Sequence, residues 1–356
     1  MEPLNLDEFE NIARETLPAM TYDFIAGGAE DERSVAANRA AFQRRGLRNR
    51  ALVDVATRDL RTALLGVELP HPILLAPTAL HRVAHPDGER ATARGASAAG
   101  ALYTVSTATS TRLEDIAAAS TAPRWFQLYH LGRREASEEL IQLAVKTGHR
   151  AIVLTVDVPL LGRRERDLRN GFTLPPGVGM AHAYEPAWTP KVNSTDDRSR
   201  AWASPIASAN LTWDDLGWIR AASGGLPLLL KGVVRADDAR RAVDLGVDGI
   251  WISNHGGRQL DGAIATLDAL AEVVSAVGGK AAIVLDGGIR RGSDVIKALA
   301  LGADAVGIGR PQMYGLAAAG AEGVERVVEL LRAELDLAMA LVGAASLAAL
   351  TPDLVA

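Results

Sequence analysis

The sequence predicts an α/β fold: an eight-stranded parallel (β/α)8 barrel with a helical N-terminal extension and a long loop after strand four. Three observations carry that expectation. Eight short apolar runs recur along the chain, helix-like alanine-rich segments follow them, and glycine closes several of those segments. Near-continuous Val/Ile/Leu runs of this length suit parallel strands buried on both faces.

The runs are 73–78 (ILLAPT), 102–107 (LYTVST), 125–129 (WFQLY) and 151–157 (AIVLTVD). Four more follow at 226–231 (LPLLLK), 249–254 (GIWISN), 281–286 (AAIVLD) and 305–310 (AVGIGR). Helical spacing marks 89–99, 135–147, 236–245, 266–277 and 293–301, and Gly100, Gly148, Gly246, Gly278 and Gly302 stand where helix C-caps often fall. A doubly wound open sheet shares this local signal, but usually has fewer strands and a glycine fingerprint after the first. Eight units favour the barrel. Residues 1–66 read as the helical extension and 67–356 as the barrel, together one domain. Segment 172–213 is rich in Pro, Ser, Asn and Thr and weakly periodic, and so reads as a lid-like loop.

Composition narrows the class. The 356 residues are 48% apolar and carry 38 basic and 43 acidic side chains, a formal charge of −5. No basic excess points to nucleic acid. The absence of cysteine removes disulfides, thiolate metal sites and any thiol nucleophile, and no metal is expected. The acidic, polar start has no apolar signal core, no run is long enough to span a membrane, and the ending TPDLVA carries no readable address. The expectation is a soluble cytoplasmic protein.

In such barrels chemistry sits at the C-terminal strand ends. The exits are Pro77-Thr78-Ala79, Ser106-Thr107, Gln127 with Tyr129, Thr155 with Asp157, and Lys231. The last three are Ser253-Asn254-His255, Asp286-Gly287-Gly288-Ile289-Arg290, and Gly309-Arg310. Glycines there let backbone N–H groups approach an anion, a following helix adds its positive end, and Arg290 and Arg310 supply charge. Two such loops in succession favour a phosphate site over simple turns.

The segment SNHGGRQLD (253–261) places His255 among glycines, with Arg258 three residues on. A lone histidine is more often structural. Here Arg258 can clamp an anion beside a base that Asp157 orients. Lys231 is open to three readings: a Schiff-base nucleophile, a stabilising cation or a structural ion pair. The basic run GRRERDLRN (162–170) offers one further anion-binding arginine.

These residues resemble a family. SNHGGRQLD, LDGGIRRG, VGIGRP, LLLKG, FQLY, GRRERD and APTAL are similar to the motifs of the FMN-dependent 2-hydroxy-acid oxidases and dehydrogenases, which include glycolate, lactate and mandelate oxidases. The resemblance implies FMN as cofactor. Pro77, Thr78, Ala79, Ser106, Gln127, Thr155, Lys231 and Ser253 would surround the isoalloxazine and ribityl chain, with Lys231 as the cation near N1. Asp286, Gly287, Gly288, Ile289, Arg290, Gly309 and Arg310 would hold the ribityl chain and phosphate. His255 would be the base, supported by Asp157; Arg164 and Arg258 would clamp the substrate carboxylate and Tyr129 would bond its α-oxygen.

One position departs from the family pattern. Phe24 stands where many members carry a tyrosine whose hydroxyl meets the carboxylate. With STATS (106–110) in place of a tryptophan region, where Thr107-Ala108 should widen the pocket, this suggests a bulky or aromatic (S)-2-hydroxy acid. Ala79 and the polar 172–213 segment favour a soluble oxidase using O2 over a quinone-linked dehydrogenase, and the resemblance suggests a homotetramer. A Schiff-base aldolase using Lys231 and a non-catalytic FMN-binding protein are the competing readings.

Overall fold

The computed structural model describes residues 2–182 and 209–356. Most of the predicted lid-like loop (172–213) therefore lies outside the described residues, apart from its two flanks.

Eight parallel strands close into a barrel: β3 (Ile73–Leu75), β4 (Tyr103–Ser106), β5 (Arg124–Leu128), β6 (Ile152–Thr155), β7 (Leu228–Val233), β8 (Gly249–Ile252), β9 (Ala282–Asp286) and β10 (Ala305–Ile308). β10 pairs with both β9 and β3, which completes the ring. Each strand falls within or next to one of the eight apolar runs. Six of the runs are longer than their strands, and most of the polar exit groups lie just beyond the strand ends; β5 and β7 are as long as their runs, and Lys231 lies within β7.

Alternation along the strands divides the core in two. Leu74, Trp125, Val153, Leu229, Trp251, Val284 and Ala305 point inward, where Trp125 and Trp251 meet edge to face at 6.4 Å. Ile73, Leu75, Phe126, Ile152, Leu228 and Ile250 point outward against the helices. Those are α4 (Gly88–Ala98), α5 (Leu113–Ala119), α6 (Arg134–Lys146), α8 (Leu216–Ala222), α9 (Ala236–Asp244), α10 (Thr266–Val277), α11 (Gly292–Ala300) and α12 (Arg310–Val342), with the short α7 (Glu165–Asn170) after β6. The five predicted capping glycines all have positive φ. Among the described residues no helix is long and apolar enough to cross a membrane.

The extension is helical only in part, which corrects the expectation for 1–66. It forms α1 (Leu6–Thr16), α2 (Ala19–Ala26) and α3 (Arg33–Gln43), and then an antiparallel hairpin of β1 (Thr62–Leu64) and β2 (Val67–Leu69). Leu65 and Gly66, at φ 48° and 78°, make the tight turn, since such hairpins need positive φ at both central residues. Leu64, Val67 and Leu69 join the inward-facing barrel cluster, so the hairpin seals one end of the barrel. In α1, Asn5 accepts a hydrogen bond from Glu8 N–H, and Leu6, Phe9 and Ala13 are buried.

Candidate active site

The strand ends open into a cavity that gathers most of the predicted residues. Phe24 and the β3 exit (Pro77, Thr78, Ala79) line it, as do Ser106, Tyr129 and Lys231. Arg164, His255 and Arg258 face the same space. So do Asp286, Gly287, Gly288, Ile289 and Arg290, and finally Gly309 and Arg310.

Asp157, Gln127, Thr155 and Ser253 do not line this cavity but bond to residues that do or to one another. Gln127 accepts from Ser106 Oγ at 3.0 Å and donates to Thr155 Oγ1 at 2.9 Å. Ser253 Oγ accepts from Lys231 Nζ at 2.9 Å and donates to Asp286 Oδ1 at 2.7 Å, while Lys231 and Asp286 form an ion pair at 3.5 Å. Thr107 and Ala108, expected to widen the pocket, are buried and do not line it. The Thr107 hydroxyl is spent between strands, donating to Gln127 O and accepting from Tyr129 N–H.

His255 and Asp157 come from β8 and β6 exits and meet at 2.9 Å between Nδ1 and Oδ1. Burial pushes the imidazole below its ordinary value, Asp157 offsets part of that, and Lys231 and Arg164 push it down further. Burial alone would raise the Asp157 carboxyl, but His255 and Lys231 hold it below the usual range. An ionised Asp157 accepts the Nδ1 proton, which leaves Nε2 as the free lone pair on the cavity side. Tyr129 Oη lies 3.3 Å from Nε2. Burial, with Asp157, pushes this phenol up, so it stays a neutral hydrogen-bond donor.

Four arginines crowd the same space. Burial lowers Arg164, Arg258, Arg290 and Arg310, and for Arg258 the charges of Arg164 and Arg310 add to the effect. Arg258 Nη1 donates to Gly27 O at 2.7 Å. Arg310 donates to Ala26 O, Gly27 O and Gly256 O, so part of its guanidinium docks the end of α2 onto the barrel mouth. Arg164 Nε is buried without a hydrogen-bond partner among the described residues. Asp157, Asp286, Asp7 (3.8 Å from Arg290) and Asp167 (beside Arg164 and Arg258) offset part of the charge of these arginines and Lys231, and the cations still outnumber them, so an anionic ligand would be welcome in the cavity.

The backbone suits a phosphate. Gly287 and Gly288 have φ of 99° and 94°, and a Cβ at Gly288 would stand 2.4 Å from Asn38 O. Only glycine fits this cradle, and Gly309 beside it caps the N-terminus of α12. The residues present therefore fit FMN: an anion cradle, buried cations, and a row of hydrogen-bonding groups at the β4, β5 and β6 ends.

Several contributors were not legible in sequence. Ile25, Ala76, Gly256, Gly307, Ile308 and Met313 also line the cavity. Phe172 stacks on Phe24, and Gln259 donates to Asp157 O at 3.0 Å and accepts from Gly162 N–H. Only the SNHGGRQLD run pointed toward Gln259.

The chain is similar to known proteins along nearly its whole length. Residues 13–356 match the model of the family described as FMN-dependent dehydrogenase. The chain is 46% identical to a peroxisomal (S)-2-hydroxy-acid oxidase of Oryza sativa subsp. japonica, covering 98% of this chain and 94% of that one. It is 48% identical to an L-lactate oxidase of Nostoc sp., covering 97% and 96%. A crystal structure of mandelate oxidase with (S)-2-phenylpropionate superposes with a TM-score of 0.88 at 43% identity, over 98% and 97% of the two chains. The chain belongs to the FMN-dependent dehydrogenase family.

Proposed function

We propose that this protein oxidises an (S)-2-hydroxy acid to the 2-keto acid, with FMN as cofactor and O2 as the electron acceptor, releasing H2O2. The observation that carries the reading is the His255–Asp157 pair, with Tyr129 Oη 3.3 Å from the unprotonated His255 Nε2 and two half-buried arginines lining the same cavity.

Arg164 and Arg258 bind the substrate carboxylate. Both guanidiniums are half-buried at the cavity wall, and a bound carboxylate that displaces water from between them strengthens both contacts. His255 Nε2 takes a proton from the substrate's α-carbinol group, and Asp157 stabilises the imidazolium that results. Tyr129 donates to the α-oxygen. Lys231, fixed by Ser253 and Asp286, places a cation at the isoalloxazine side. FMN would supply the acceptor for the two electrons and the second hydrogen that the substrate loses, and the two electrons and two protons would leave together on O2 as H2O2. Asp286 through Arg290, with Gly309 and Arg310, would hold its ribityl chain and phosphate, and Pro77, Thr78, Ala79, Ser106, Gln127 and Thr155 would surround the ring.

O2 is favoured over a quinone by the small Ala79 at the cavity wall and by the oxidase names of the relatives above. Phe24 and Phe172 favour a bulky or aromatic substrate. The ion pair of Lys231 with Asp286 argues against a Schiff-base aldolase, which needs a free amine. A homotetramer in the cytoplasm completes the proposal, tested by light scattering and fractionation. Mixing the yellow holoenzyme anaerobically with mandelate-type, lactate and glycolate substrates tests the chemistry. Bleaching by a 2-hydroxy acid and recolouring by air with H2O2 release supports it. A flavin that no hydroxy acid bleaches would leave only the FMN-binding reading.

A further inference from the structure

His255 has φ of 58°, the left-handed region that a residue with a Cβ enters only at an energetic cost. Such a conformation persists only where neighbours over-determine it. Ser253 Oγ accepts the His255 N–H at 3.0 Å. The other restraint reaches in from the N-terminal extension.

Asn38 lies on α3 and is buried, as is Asn254, the residue before His255. Their amides form a reciprocal pair: Asn38 Nδ2 donates to Asn254 Oδ1 and Asn254 Nδ2 donates to Asn38 Oδ1, both at 2.8 Å. The remaining capacity is spent locally. Asn254 Oδ1 accepts from Gly257 N–H and its Nδ2 donates to Ile264 O, tying the residue before His255 to two positions beyond it. Asn38 Oδ1 accepts from Thr266 N–H, at the start of α10. Asn38 also packs on the anion cradle: its carbonyl fills the space a Cβ at Gly288 would need, and its side chain lies against Gly287.

We propose that Asn38 is a positioning residue for the oxidation, holding the Asn254–Gly257 loop so that His255 keeps its left-handed backbone and its bond to Asp157, and setting that loop against the Gly287-Gly288 cradle. The proposal rests on the reading of His255 as the base. Removing the Asn38 amide takes one of two hydrogen-bond partners from each end of the buried Asn254 amide and the side-chain acceptor from Thr266 N–H, and the loosened loop can relieve its strain by rotating His255 away. Substrate binding by Arg164 and Arg258 is untouched, so the loss falls on the reaction and not on affinity.

The test is a double-mutant cycle on the holoenzyme, with anaerobic flavin reduction timed by stopped flow. Asn38→Ala should slow reduction at saturating substrate by about 30-fold or more, with the half-saturating concentration changed less than about threefold. In a His255→Gln background the same substitution should have almost no further effect. FMN should also leave the Asn38→Ala protein about tenfold faster, read by flavin fluorescence without turnover. Asn38→Asp keeps the volume but, once ionised, cannot donate to Asn254, and it serves if Asn38→Ala fails to fold. Equal slowing in both backgrounds, or none in either, would overturn the proposal, and an unchanged FMN release rate would overturn its cradle half. If His255→Gln alone reduces at the native rate, the base assignment itself fails.

Discussion

The rings of Phe24 and Phe172 lie parallel, their centroids 4.4 Å apart and their planes 2° from coincidence. Phe24 belongs to α2, ahead of the barrel, and Phe172 follows α7, so the stack joins two distant segments. Arg166 reinforces it, pairing with Asp23 and Glu32, and Asn170 donates to Asp23. Arg258 Cζ stands 5.5 Å from the Phe24 ring centre. The proposed carboxylate clamp would thus be flanked by an apolar wall, where a hydroxyl would favour small, polar acids. Phe24→Tyr should raise kcat/KM for glycolate relative to mandelate by about tenfold, and Phe172→Ala should lower that for mandelate by a similar factor. Steady-state oxygen uptake on both substrates checks this, and an unchanged ratio would remove Phe24 from the specificity argument.

The buried imidazole sets a pH dependence. His255 must be neutral to accept a proton, and burial holds its pKa below 6.5. The rate should therefore climb as pH rises through that lowered pKa and be level by neutrality. Asp157→Asn keeps the shape but removes the charge that stabilises imidazolium and fixes the tautomer. A fall in kcat of about 100- to 10,000-fold is expected, with FMN retained. A pH profile with its acid limb above 7 would contradict the sign of the shift.

The barrel was legible because its strands are buried on both faces, and such strands leave continuous apolar runs. The β1–β2 hairpin was not, since three-residue strands such as Val67–Leu69, buried at both ends and exposed at Glu68, give too short a pattern. Site residues showed wherever a polar group ended an apolar run, as with Lys231 and His255. Asp157 could be matched to His255 only because strand exits converge in this fold. Asn38 carried no such mark: its partner is 216 residues away, and nothing in the helical context of α3 distinguishes it from a solvated asparagine.

Arg258 bears on binding and on architecture. Its guanidinium is half-buried, faces the cavity and holds Gly27 O, so a point charge cannot replace its fork. Arg258→Lys should raise KM for a 2-hydroxy acid by about tenfold. Arg258→Met should lower kcat/KM by about 100-fold or more, the scale expected when one partner of a buried charged contact is cut away. Keto-acid titration of the flavin spectrum would show whether the loss is in binding.

Glu89 links two exit loops from beneath the site. Fully buried on α4, it accepts from His81 N–H at 3.0 Å, Ser110 N–H at 2.7 Å, Ser110 Oγ at 2.8 Å and Thr111 Oγ1 at 2.7 Å. Burial opposes its charge, yet His81 and these donors together hold its pKa below the ordinary glutamate value. A carboxyl depressed in the fold stabilises it above its unfolded pKa, and that stabilisation is lost as pH falls through the folded value. Glu89→Ala strands four donors and should cost about 3 kcal/mol at pH 7. The gap to the native protein in thermal unfolding should narrow as the solution is acidified below the usual glutamate range. A gap that stays constant below that range would mean that Glu89 holds the loops by its shape alone and not by its charge.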